Sequence, residues 1–193
     1  SNEIELRAFM DGYLREIGKL GVGTGISKIS VQTGTSHGGV PLPDGTVAQV
    51  KLDLGVLETL SQVARKHYGL AGAVQHGAST LPADAFHNFP KIETAEIHLA
   101  TEFQNMLYEH EAMPRELKKT MYDHLRETCA NEKKEGETDE QFFYKTRKKA
   151  FGPFKRQWWE LPEDVRGAMM QSLQEKFDFL FERLNVRNTA GLV

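Results

Sequence analysis

The sequence predicts an α/β fold over its first 112 residues and an all-helical remainder over 113–193. Three observations lead there. Short apolar runs rich in β-branched residues occur at about 27–32, 71–75 and 94–99. The first two feed glycine-containing turns, Thr33-Gly-Thr-Ser-His-Gly-Gly39 and Val74-Gln-His-Gly-Ala-Ser-Thr80, and the third runs into Thr101 at a helix start. Helical periodicity fills the space between the runs, as expected of parallel strands joined by crossover helices, and it is the only periodicity after residue 112.

Taken in order, Ile4, Leu6, Phe9, Met10, Tyr13, Leu14 and Ile17 recur at helical spacing with charged residues between them, predicting an amphipathic helix over 3–17. Residues 18–25 hold four glycines and read as a loop. After the first strand, Val40-Pro-Leu-Pro-Asp-Gly45 reads as a surface loop long enough to fold over a site. A helix over 53–68 places Leu54, Leu57, Leu60 and Val63 on one face, and Gly69 ends it. The second strand follows at once, completing a βαβ unit for which a right-handed crossover is expected. A brief helix or turn is expected within 81–90, and Thr101 is expected to cap a helix reaching about 111.

Pro114 then opens a helix to about 129, and the charge-rich 131–139 breaks it. Helices follow over 140–149, 154–160 and 162–184. The last has Val165, Met169, Leu173, Phe177, Leu180, Phe181 and Leu184 at core spacing. Trp158 and Trp159, with Phe151 and Phe154, read as a packing cluster or a subunit interface. His67, His110 and His124 fall in charged helical stretches and are expected on solvated faces.

Lys and Arg number 24 against 27 Asp and Glu, a net charge of −3, so nothing points to nucleic acid. No apolar run approaches a membrane span. The single cysteine, Cys129, excludes an intrachain disulfide and fits a reducing, cytoplasmic compartment.

Both His37 and His76 are placed at the C-terminal end of a strand, with glycines that let backbone approach a ligand. Neutral imidazole suits a metal ion, and a helix start suits an anion. The plainer readings are strand-end histidines bonded to backbone, and Ser79 and Thr101 capping their own turns.

His37-Gly38 after Thr33-Gly-Thr35, then His76-Gly-Ala-Ser79, then Leu99-Ala-Thr-Glu-Phe-Gln-Asn105 resemble, in order, three successive motifs of the class II, metal-dependent fructose- and tagatose-bisphosphate aldolases. The resemblance covers roughly residues 25–110. It implies that this chain supplies about the last three strands of a (β/α)8 TIM barrel, together with a helical C-terminal extension packed on the barrel or a neighbouring subunit. It further implies a lyase of carbohydrate metabolism, glycolysis included, that reversibly cleaves a ketose (bis)phosphate through an ene-diolate. His37 and His76 would hold a divalent ion, Zn2+ by ligand type. Gly38, Gly77, Ser79 and Thr101 would bind the phosphate. The first five strands, with the acid/base carboxylate, a further histidine ligand and a glutamate near the metal, would come from elsewhere, so this chain alone would be inactive. The expected partners are the missing barrel half, the sugar phosphate and further copies in a homo-oligomer.

Two positions depart from that pattern. His98 stands where the family has an asparagine that contacts substrate, and Thr80 stands where a glycine is common. His98 admits three readings: a different sugar phosphate, an added metal ligand, or loss of the reaction. The last would leave an aldolase-like protein that binds a sugar phosphate as a binding or scaffold subunit.

Overall fold

The computed structural model describes residues 1–192 except 22, 24, 36–38, 45 and 49–51. The expected loop over 40–45 is described apart from Gly45, whereas His37 and Gly38 lie outside the described residues. The chain is α/β and mostly helical, with a small three-stranded parallel sheet in the order β1-β2-β3. Among the described residues no helix is long and apolar enough to cross a membrane.

The elements are α1 (Glu3–Lys19), β1 (Ile29–Val31), α2 (Leu54–Tyr68), β2 (Ala73–Gln75), α3 (Asn88–Lys91), β3 (Glu96–Ile97), α4 (Thr101–Tyr108), α5 (Arg115–Thr128), α6 (Asp139–Thr146), α7 (Lys155–Trp159) and α8 (Glu163–Arg183). Contacts divide the chain into two compact units. The first comprises Ser1–His37, Val50–Leu99 and Phe181–Val193, and the second Gly38–Gln49 and Ala100–Leu180.

In the first unit, α1 opens with a capping box in which Asn2 and Glu5 satisfy each other's backbone N–H groups. It runs two residues past the expected 17 because Gly18 and Lys19 still fit the last turn. α2 is capped by Asp53, whose Oδ1 accepts from Val56 N at 3.0 Å, and ends at Gly69 in the left-handed region at φ 66°. Leu57, Leu60, Val63 and Ala64 are buried, and α2 packs on β1 and β2.

The strands are shorter than expected, but the paired backbone extends past them. Ala71 N donates to Ser27 O at 2.7 Å, and His98 N donates to Gln75 O at 2.9 Å. The register aligns Ser30 with Val74 and Val74 with Glu96. Parallel strands in register point aligned residues the same way, and alternate residues share a face. One face therefore carries Ser30, the buried Val74 and Glu96, followed by Gln32, His76 and His98 at its C-terminal end. The other carries Val31 and Gln75, both buried. Gly72, at φ 131°, is required: a Cβ there would stand 2.6 Å from Ser61 Oγ.

The second unit is built on a large aromatic and methionine core. Tyr108, Met121, Leu125, Ala150, Phe142 and Met169 are its most buried members, with Phe143, Phe154 and Leu161 around them. Trp158 packs against this cluster, whereas Trp159 is 67% exposed. α6 opens with a second capping box, between Thr138 and Gln141. Pro41 and Val47 form an antiparallel bridge, and Gln141 Nε2 donates to Pro41 O at 2.8 Å.

Several expectations need correction. Thr101 is the first residue of α4 rather than its cap, which is Ala100. The stripe on α8 is only partly buried: Met169 and Leu180 are covered, but Phe177 and Phe181 remain 41% and 47% exposed. Helical spacing identifies a shared face without saying what covers it. His110 is half-buried in the turn after α4, not on a solvated helix face; one ring nitrogen pairs with Ser172 Oγ at 3.0 Å and the other accepts from Ala112 N at 3.1 Å. His124 is half-buried as well, its ring edge-on to Phe154.

Candidate functional site

The site lies at the C-terminal end of the sheet in the first unit. Parity and register bring His76 and His98 to the same face, and their ring centroids stand 4.2 Å apart. His76 is half-buried, and His98 keeps 48% of its side chain exposed. His98 Nε2 hydrogen-bonds Glu96 Oε1, and the other oxygen of Glu96 takes an ion pair from Lys28. Glu96 lies two residues before His98 and so faces the same way. Lys28 and then His98 hold its carboxyl below the usual carboxylate range. The charged form of Glu96 is thereby favoured.

Beneath this surface row runs a buried polar network. Gln75 is fully buried, and its Oε1 accepts from Thr33 Oγ1 at 2.8 Å. Its Nε2 donates to Thr35 Oγ1 at 3.0 Å and to the His76 carbonyl. Thr35 Oγ1 donates to that same carbonyl at 2.8 Å. Thr33 O accepts from Asp53 N at 3.0 Å, so the start of α2 is tied to the end of β1. A groove of about 270 Å³ beside His76 is lined by Ser30, Gln32 and Thr35.

The turn after His76 begins at Gly77, left-handed at φ 69°, and continues as a 3-10 turn over Ala78–Thr80. Ser79 is buried. The Thr80 hydroxyl is buried with no hydrogen-bond partner among the described residues. An orphaned donor beside a strand-end turn suits an anionic ligand oxygen. Thr101 opens α4 in the second unit, where Glu102 in the same first turn pairs with Lys176 at 3.2 Å.

The donor type fits a divalent ion, because imidazole nitrogen is a zinc ligand. The donor number does not reach three: among the described residues, no group of three or more His, Cys, Asp or Glu side chains is placed to hold a metal. His76 is the one expected ligand that the structure describes, since His37 lies outside the described residues.

Sequence reasoning singled out His76 and His98 but missed Glu96, Lys28, Gln75, Thr33 and Thr35. The available signal was parity: Glu96 and His98 are separated by two along one strand, and a glutamine interrupts an otherwise apolar β2. The second unit has an open cleft of about 680 Å³ lined by Asn105, Glu109, Lys118, Tyr122, Arg126 and Arg147. Its cations already have acidic partners: Glu109 for Lys118 and Arg147, and Asp139 for Arg126. The cleft therefore selects no ligand by charge.

The chain matches no protein-family model and no curated protein.

Proposed function

We propose that this chain is the C-terminal part of a class II aldolase-like lyase, contributing about the last three strands of a (β/α)8 barrel and half of its catalytic end. The observation that carries the reading is the polar face of the sheet, with His76, His98 and Glu96 gathered at the C-terminal strand ends. A parallel sheet ordinarily buries both faces under apolar residues. A polar face with imidazoles at the C-terminal end suits the mouth of a barrel, where such enzymes place their chemistry.

One further observation supports it. Both β1 and β3 are edges of the sheet among the described residues, and open edges invite further strands.

In the proposed reaction a base, which the resemblance places outside this chain, takes the proton of the hydroxyl beside the scissile bond; that carbon becomes the aldehyde carbonyl, the carbon–carbon bond of the ketose phosphate breaks, and its electron pair passes to the ketose half as an ene-diolate. His76 and His37 would hold a divalent ion, which as a Lewis acid would stabilise such an anion. The remaining roles fall to this chain's own groups. The turn at Gly77–Thr80, with the hydroxyls of Ser79 and Thr80, takes the phosphate. His98, fixed by Glu96, borders the substrate where an asparagine would stand in the resembling enzymes.

The hydrogen bond that ties His98 to Glu96 favours a second reading, a protein that binds a sugar phosphate and has lost the cleavage. A retro-aldol assay of the complete protein on fructose and tagatose bisphosphates, with and without EDTA, separates the two. EDTA-sensitive turnover, lost in His76→Ala at unchanged circular dichroism, is the expected result. Saturable binding of either sugar without turnover supports the second reading, and neither binding nor turnover removes both.

A further inference from the structure

We propose that Gln75, together with Thr33 and Thr35, is a positioning clamp that fixes the backbone of His76 and so aims its ring into the site. The inference rests on the reading of His76 as a metal ligand. It adds three residues that touch neither metal nor substrate.

Gln75, Thr33 and Thr35 are 0%, 2% and 6% exposed, in a strand and turn where apolar residues would fit without desolvation. The network compensates by satisfying every group in only one proton arrangement. The His76 carbonyl can only accept, so the amide must turn its Nε2 toward it. Thr35 spends its single proton on the same carbonyl, and so must accept from Nε2. Oε1 is left as the acceptor for Thr33. No member can rotate without leaving a buried polar atom unpaired, which makes the network rigid.

The clamp also crosses strands. It joins the turn after β1 to the end of β2, linking the segment that leads in sequence to His37 to the one that carries His76. Two donors on one carbonyl fix the peptide plane following His76 and, through it, the Cα from which the ring projects. A metal ligand held by its outer hydrogen bonds typically loses about ten- to a hundredfold in ion affinity when those bonds are removed. The same loss is expected here, acting through the backbone rather than the ring.

Thr35→Val keeps the side-chain shape and deletes the hydroxyl, whereas Thr35→Ser keeps the hydroxyl. Gln75→Glu keeps the shape and replaces the donor facing the carbonyl. Two readouts decide the matter. The first is amide hydrogen exchange at residues 76–80 in the metal-free complete protein, which reports the turn without reference to chemistry. Exchange is expected to rise about tenfold or more in Thr35→Val and Gln75→Glu, and to stay near wild type in Thr35→Ser. The second is Zn2+ affinity of the complete protein, by competition with a chromophoric chelator. It is expected to fall about ten- to a hundredfold in the first two variants and to be restored in Thr35→Ser.

Unchanged exchange in Thr35→Val overturns the clamp. Faster exchange with undiminished Zn2+ affinity overturns its positioning role. A wild-type protein that takes up no Zn2+ overturns the metal reading separately, and the exchange comparison then decides the clamp alone. Should Thr35→Val fail to fold, Thr33→Val removes only the bond to Oε1 and is expected to shift both readouts the same way by a smaller factor.

Discussion

The two units put their buried polar groups to different uses. Among the described residues, Thr33, Thr35, Ser61, Gln75 and Ser79 are the buried polar side chains of the first unit, all of them uncharged and most at the end of the sheet. The second unit buries Thr146 and Arg147 and otherwise relies on rings and methionines. Aromatic residues stabilise through area and contact and tolerate neighbours of many kinds. A buried amide–hydroxyl network does the reverse, adding little net stability but admitting one geometry. The first unit is thus built for position and the second for cohesion, which is the distribution expected if the site lies on the sheet.

The largest effect that tests this contrast is in the helical core. Tyr108 is fully buried, with Phe151 and Trp158 edge-on at 5.3 and 5.6 Å and its hydroxyl donating to Arg147 O at 2.8 Å. Tyr108→Ala should cost about 3–5 kcal/mol in chemical denaturation, as large-to-small core changes do. Tyr108→Phe removes only the hydrogen bond and should cost about 1–2 kcal/mol. Near-equal losses in the two variants would show that the hydroxyl, not the ring, holds this core, and the contrast between units would fail.

Next in size is Ser61, in the first unit. Its Oγ donates to Glu93 O and accepts from Ala73 N, both at 3.1 Å. Ser61→Ala leaves the buried Ala73 N–H without this partner next to β2, whereas Glu93 O keeps its bond from Arg65, at about 1–3 kcal/mol. Because Ala73 belongs to the sheet rather than to the helical core, faster exchange at Ala73 should accompany the loss, with exchange in α5 unchanged. A uniform rise across both units would mean that they do not respond separately.

Much of this division was open to sequence reasoning. The apolar spacing of α1 and α2, the start of α2 near Asp53 and its stop at Gly69 follow from local chemistry, and each lies within two residues of its expected place. His76 at the end of a strand was equally legible. The pairing of Glu96 with both Lys28 and His98 was not, because it depends on the register of parallel strands joined by long crossovers. The role of Gln75 was hidden for the same reason: Thr33 and Thr35 lie about forty residues away in sequence. The burial of Arg147, at 4% exposure, ran against its charge and shows only once Glu109 and the rings of Tyr108 and Tyr144 surround it. Local patterns specify elements, whereas which polar groups meet between elements is decided by topology.

The smallest expected effect concerns charge, and it separates the units by pH. In the second unit, Asp139 is held below the usual aspartate range by Lys133 and then Arg126, Asp123 by Lys119 and Arg126, and Glu132 by Lys149. A carboxylate whose folded value is depressed contributes stability that is complete above its unfolded value, about 3.9 for Asp and 4.3 for Glu. That contribution is lost as pH falls through the lower folded values. The clamp around Gln75 contains no titrating group, so its own hydrogen bonds do not change over that window. These carboxylates are exposed, so solvent screens each pair and the effect should be modest and should shrink with added salt. Lowering the pH below about 4 is therefore expected to speed amide exchange at Gln141 and Phe142, at the start of α6, before it changes exchange at Val74 and Gln75. Asp139→Asn should abolish most of the pH response at α6 while leaving the Thr138 capping box in place. If Val74 and Gln75 respond first, an ionisable group governs the sheet end after all, and Glu96 beside His98 becomes the group to substitute.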